Sequence, residues 1–71
     1  MNNIKVLGNL SEVEKKSIEN FVQYIDLEFY YTLMNGNLEL VNVFGESVCF
    51  SLSKNQTGWV LTYKETVKRQ F

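Results

Sequence analysis

The chain of 71 residues contains no histidine, no proline and only one cysteine, Cys49. Without histidine, the common serine–histidine and cysteine–histidine catalytic pairs cannot form. One cysteine is too few for a structural zinc site or an intrachain disulfide. The four glycines are isolated from one another, so there is no phosphate-binding glycine loop. This composition predicts a protein that is not an enzyme and that uses neither a metal nor a cofactor.

Long apolar runs and an excess of one charge are also missing. No segment approaches the roughly 18 apolar residues of a membrane span, and the N-terminus has no apolar run typical of a signal peptide. Seven basic and eight acidic residues give a net charge of −1, so no global field favours nucleic acid or an anionic membrane. Together with the lone thiol, these features predict a cytoplasmic protein, in a bacterium or in an infected host cell if the chain is viral.

What the chain does have is enough apolar material for one core. Hydrophobic residues make up 45% of the sequence and aromatic residues 14%, and this length fits a single domain over 1–71. A domain of this size buries only about 60% of the surface of its unfolded chain, which makes it marginally stable. Because a disulfide and a metal are excluded, self-association is the remaining reinforcement, and a homodimer is one expectation.

A helix is predicted from about Glu12 to Ile25. Ser11 stands at the N-cap position and Glu14 follows three residues later, which is the spacing of a capping box. Apolar residues then recur at helical spacing and form a single stripe. The members of this stripe are Val13, Ile18, Phe21, Val22 and Ile25.

From Leu27 onward the apolar residues alternate with a period of two, which is typical of strands. Asn35-Gly36 is a strong signal for a type I′ hairpin turn, because both central residues of that turn need positive φ. A two-residue loop there pairs Leu33 with Leu38 and Leu27 with Phe44. The sequence therefore predicts a hairpin whose first strand begins at Leu27.

Two further turns complete the predicted sheet. A three-residue loop over 45–47 pairs Phe44 with Val48, and a turn around Asn55-Gln56 pairs Leu52 with Trp59, so that bulky residues stay on one face. The predicted fold is α+β, with one N-terminal α-helix packed on a four-stranded antiparallel meander. Residues 1–9 could add a short edge strand, and 65–71 are expected to form a tail or a short helix.

The face of the sheet away from the helix is the predicted binding surface. The inferred registers place Tyr30, Val41, Ser51 and Val60 in one row, with Val43 beside Cys49 in the next, so the centre of this face is expected to be apolar. Asn42 is expected on the opposite, core-facing side. The alternatives are that a terminal segment covers the surface or that it is an ordinary half-solvated sheet. The predicted interface consists of Tyr30, Val41, Val43 and Val60, with Glu28 and Glu39 as charges at its rim.

The leading functional hypothesis is a non-catalytic protein-interaction module that blocks or assembles a partner through this face or through a strand edge. In size and composition the chain resembles many small inhibitors encoded by phages and mobile elements. The alternative is a small nucleic-acid-binding or transcription-associated protein that uses the basic residues Lys64, Lys68 and Arg69, with Tyr30 as a stacking residue.

Overall fold

The capping box of the first helix fixes where that helix begins. In the computed structural model, which describes residues 3–68, helix α1 spans Glu12–Val22. The Glu14 amide donates to Ser11 Oγ at 3.1 Å, and the Ser11 amide donates to Glu14 Oε1 at 3.2 Å. The helix ends three residues before the predicted end at Ile25. A turn follows Val22, and Asp26 then starts a second helix.

Residues 27–33 form this second helix, and the strand predicted there is wrong. Helix α2 spans Leu27–Leu33 and begins where Asp26 Oδ1 accepts the Phe29 amide at 3.2 Å. Asn35 and Gly36 do have positive φ, 54° and 77°, as the predicted turn required. However, they end a helix, and the Gly36 amide donates to the Tyr30 carbonyl at 3.0 Å. The pairings predicted for Leu27 and Leu33 therefore do not exist.

The sheet is mixed rather than antiparallel throughout. Its strands are β1 (Asn3–Leu7), β2 (Asn37–Val41), β3 (Ser47–Lys54) and β4 (Gly58–Val67), in the order β1-β4-β3-β2. Strands β2, β3 and β4 form an antiparallel meander, while β1 pairs in parallel with β4. A parallel pair needs a long crossover connection, which the intervening helices and strands provide. The N-terminal segment thus forms an edge strand, as predicted, but its pairing is parallel, whereas the predicted sheet was antiparallel.

Both predicted registers are displaced, yet Leu38, Phe50, Leu52, Trp59 and Leu61 lie in the core as predicted, whereas Phe44 does not. Val48 pairs with Leu40 instead of Phe44, and Leu52 pairs with Leu61 instead of Trp59. The first displacement moves a residue's partner by four positions and the second by two, and a displacement by an even number leaves every side chain on its original face. The strand residues buried in the core are Val6, Leu38, Phe50, Leu52, Trp59 and Leu61.

Two helices complete this core instead of one. Helix α1 contacts β1, helix α2 contacts β2 and β3, and they bury Val22 and Leu27 in the same cluster. The apolar stripe predicted for α1 is only partly used, because Val13 and Phe21 remain exposed. At the other end of the chain, residues 65–67 belong to β4, so they form neither a short helix nor a tail. The rest of the predicted tail, 69–71, lies outside the described residues.

Candidate interaction surface

Of the predicted apolar interface residues, the structure brings only Val41 and Val43 together. Val41 lies opposite Ser47, whereas Val60 lies between Ser53 and Lys5, further along the sheet. Tyr30 is on helix α2 and packs against the core, because the strand that placed it on the open face does not exist. The single apolar row predicted across the sheet is therefore wrong.

The centre of the open sheet face is polar. Ser51 lies between Asn37 and Thr62, and Cys49 lies between Glu39 and Glu65. Glu39 accepts a hydrogen bond from Ser47 Oγ at 3.0 Å. Glu28, the second predicted rim charge, lies on α2 and is bound to Lys54. The open face as a whole therefore lacks the apolar centre expected of an interface.

The connection between β2 and β3 is a tight loop organised by Asn42. Asn42 Oδ1 accepts the amides of Phe44 and Glu46, both at 3.0 Å, and Nδ2 donates to Glu46 Oε1 at 2.9 Å. Gly45 has a φ of 76° and donates its amide to the Asn42 carbonyl at 3.1 Å. This geometry is a three-residue loop, 43–45, that ends in a left-handed residue. The predicted loop length is right, but the loop begins two residues earlier and Asn42 is not a core residue.

Apolar side chains surround this loop and face the solvent. Val43 is 94% exposed, Phe44 82%, Val41 62% and Val67 43%. Val41 and Val67 flank Ser47 in the last row of the open face, next to the loop. We call these four residues the hairpin tip patch: Val41, Val43, Phe44 and Val67.

The sequence prediction found half of this patch. Val41 and Val43 were predicted interface residues, but Phe44 was expected to pack on Leu27 in the core. The missed signal is the spacing of Asn42 and Gly45, because an Asn that caps a turn followed three residues later by a Gly is typical of a short hairpin loop. That spacing places Phe44 at the tip.

At the opposite end of β3, aromatic and charged residues contact one another within the chain. Lys54 Nζ lies 3.0 Å from Glu28 Oε2, 5.1 Å from the centre of the Trp59 ring and 5.7 Å from that of Tyr31. The two rings meet edge to face with their centres 5.5 Å apart. We call these four residues the aromatic clasp; they join α2 to β3 and β4.

A cleft of about 340 Å³ lies beside the clasp, at the junction of the two helices. Its lining includes Val22, Leu27 and Trp59, which are buried core residues. Its charged rim is already engaged, because Asp26 caps α2 and Glu28 binds Lys54. The cleft is therefore explained by how the helices meet the sheet.

The other predicted features lie away from the patch or outside the described part of the chain. Lys64 Nζ donates to Asn37 Oδ1 at 3.1 Å, and Lys68 directly follows β4. Arg69 lies outside the described residues, so the basic cluster stays a prediction. Within residues 3–68, no group of three potential ligands could hold a metal ion. Neither helix in this part of the chain has the length and apolar character needed to cross a membrane.

Comparison of the chain with protein-family models, with curated proteins and with solved structures found no match. Function is therefore inferred from the geometry of the described residues.

Proposed function

We propose that this protein is a non-catalytic binding module that inserts its hairpin tip, Val43 and Phe44, into an apolar recess on another protein. Its effect is to block or assemble that partner. The observation that carries the proposal is the near-complete exposure of these two adjacent apolar side chains on a loop whose shape is fixed. Contiguous exposed apolar residues of this kind often mark an interface.

The energetic argument starts from the cost of leaving these side chains in water. Fully burying a valine or phenylalanine side chain contributes about 1.5–3 kcal/mol. Val43 and Phe44 gain almost none of this in the isolated chain, because both are exposed. A partner with a recess of matching shape would recover it, and aromatic residues are common among the anchors that dominate binding energy.

The loop geometry also supports the proposal, because it lowers the conformational entropy that is lost on binding. Asn42 holds the backbone on both sides of the tip through the Phe44 and Glu46 amides. A loop already held in one conformation loses less conformational entropy on binding than a mobile loop. Asn42 therefore supports binding without itself touching the partner.

Site-specific photo-cross-linking in the source cells tests this proposal. A benzophenone amino acid replaces Phe44 in one variant and Tyr24, which is 90% exposed on the helical side, in a matched control. We expect a defined adduct from position 44 that is absent from position 24. The added substitution Val43→Ser should reduce the adduct at position 44, since it removes half of the anchor.

The cross-linked mass also separates the forms that the proposal can take. An adduct with a different protein supports blocking or assembly of that protein, and an adduct of twice the chain mass supports a homodimer. An adduct with DNA or RNA favours the nucleic-acid alternative and contradicts the proposal. Equal adducts from positions 44 and 24, or none from position 44, also contradict it.

A further inference from the structure

The turn between helix α2 and strand β2 has the geometry of a β-hairpin turn. Asn35 and Gly36 both have positive φ, 54° and 77°, and the Asn37 amide donates to the Met34 carbonyl at 3.0 Å. Two successive left-handed residues closed by such a hydrogen bond are the features of a type I′ turn. The end of a helix needs only one left-handed residue. The turn is therefore already shaped to join two strands, although a helix precedes it.

The outer edge of β2 matches this turn. Within residues 3–68, β2 is the last strand on its side of the sheet. The Leu52 amide donates to the Gly36 carbonyl at 2.6 Å, and bonded pairs alternate along antiparallel strands. Even-numbered residues of β2 therefore bond to β3, and odd-numbered residues such as Val41 direct their backbone groups outwards. A strand joined to β2 by this two-residue turn would pair with the odd-numbered residues, and the bond at Asn37 is the first of that series.

The sequence of α2 suits a strand as well as a helix. Residues 29–32, four of the seven in the helix, are aromatic or β-branched and favour strands. A helix of two turns has little stability of its own and depends on tertiary contacts. Phe29 and Leu33 use such contacts incompletely, since they are 46% and 67% exposed. In a strand paired with β2, both would lie on the core-facing side of the sheet, with Leu38 and Leu40.

We propose that α2 is a conformational switch whose residues, 27–33, also form a fifth strand, paired with the outer edge of β2 through the existing turn. The helix is the major form of the isolated chain, because Asp26 caps it and the aromatic clasp holds Tyr31. The strand is the minor form. It takes α2 away from β2 and β3, which the helix contacts, so the switch controls access to the core-facing side of these strands. It is separate from the function proposed for the hairpin tip.

Disulfide trapping tests the switch. In the strand form, Thr32 lies directly opposite Glu39, with the two Cα atoms about 5.5 Å apart and within reach of a disulfide. In the helical form, Thr32 is exposed on α2, which covers one side of the sheet, whereas Glu39 lies beside Cys49 on the open face. A variant with Thr32→Cys and Glu39→Cys, in a Cys49→Ser background, should therefore close an intrachain disulfide through the strand form.

The matched control pairs Met34→Cys with Val41→Cys in the same background. Both pairs are seven positions apart in sequence, so an unfolded chain would close them equally readily. All four positions are exposed. The strand form leaves positions 34 and 41 four residues out of register, about 13 Å apart. In a glutathione buffer we expect the first disulfide to form at least about tenfold faster than the control, because only its thiols meet in a folded form.

Two further measurements connect the disulfide to the switch. The carbon chemical shifts of residues 28–33 should be helical in the reduced variant and strand-like in the oxidised one, while the amide shifts of β4 hardly change. Asp26→Ala removes the acceptor of the Phe29 amide at the helix N-cap. It should raise the trapping rate of the first pair about fivefold, because it destabilises only the helical form.

Several results would overturn this inference. Equal trapping of the two pairs would mean that their thiols meet only in the unfolded chain, and no trapping would mean that the strand does not form. An oxidised first variant whose residues 28–33 stay helical, or whose sheet unfolds, would also overturn it. So would a disulfide that links two chains, or a trapping rate that Asp26→Ala leaves unchanged.

Discussion

The two ends of strand β3 carry similar side chains but use them in opposite ways. At its C-terminal end, the aromatic clasp sets Lys54 over Trp59 and Tyr31 and ties α2 to the sheet. At its N-terminal end, Val43 and Phe44 project into solvent, and the hydrogen bonds of Asn42 shape only the loop. The difference teaches that apolar residues at the clasp stabilise the fold, whereas those at the tip are available for a partner.

Replacing an aromatic residue at each end should give the largest contrast. We expect Trp59→Ala to lower the free energy of unfolding by about 3–5 kcal/mol, because it leaves a cavity in the core. Phe44→Ala should change it by less than about 0.5 kcal/mol, because Phe44 is exposed. Urea denaturation followed by circular dichroism measures both. Similar losses in the two variants would mean that the tip is part of the fold.

Replacing a glycine near each end of β3 with alanine should also destabilise the fold more at the clasp end than at the hairpin tip. A Cβ on Gly58 would overlap the backbone of Asn3 in β1, whereas a Cβ on Gly45 would meet no atom within 4 Å. We expect Gly58→Ala to cost about 3 kcal/mol or more by displacing β1. Gly45→Ala should cost only about 1–2 kcal/mol, from its positive φ. The midpoint of thermal unfolding measures both losses. A lower midpoint for Gly45→Ala than for Gly58→Ala would contradict this prediction.

Asn42→Ala should loosen the hairpin tip more than it destabilises the molecule. It removes the Oδ1 acceptor of two backbone amides and the Nδ2 donor to Glu46, and we expect a loss of about 1–2 kcal/mol. Hydrogen exchange at the Phe44 and Glu46 amides should accelerate, while exchange in β4 should change only with global stability. Unchanged exchange at these two amides would show that Asn42 does not fix the loop.

Lys54→Met should have the smallest effect. Lys54 and Glu28 are both about half exposed, and such ion pairs contribute about 0–1 kcal/mol. We expect the free energy of unfolding to fall by less than about 1 kcal/mol. High salt should largely remove this difference, because it screens the ion pair in the unaltered chain. A double-mutant cycle with Glu28→Gln measures the coupling. A coupling of several kcal/mol would make the ion pair, rather than the aromatic packing, the basis of the clasp.

Helix α2 shows why part of the fold could not be predicted from the sequence. The segment from Leu27 to Leu33 alternates like a strand but is short enough to form a two-turn helix, and Asn35-Gly36 suits the end of either. Asp26, which caps the helix, was the local signal that favoured the helix. Because this segment is predicted as a strand, Tyr30 is predicted on the open face of the sheet, whereas it lies on α2 and packs against the core.

Strand parity succeeded where register failed, for a physical reason. A shift by two residues costs the core little, because Leu52 faces the same side whether it pairs with Trp59 or Leu61. Local patterns therefore predicted the core but could not locate Phe44, whose position depends on where the loop begins. The parallel pairing of β1 with β4 depends on contacts distant in sequence, which no local pattern specifies.

The most direct test of the central claim is the affinity of Phe44→Ser for the partner found by cross-linking at position 44. We predict a Kd at least about thirtyfold higher than that of the unaltered chain, with an unchanged unfolding midpoint. Tyr24→Ser, the matched exposed aromatic on the helical side, should bind normally. An unchanged Kd for a folded Phe44→Ser variant would contradict the account.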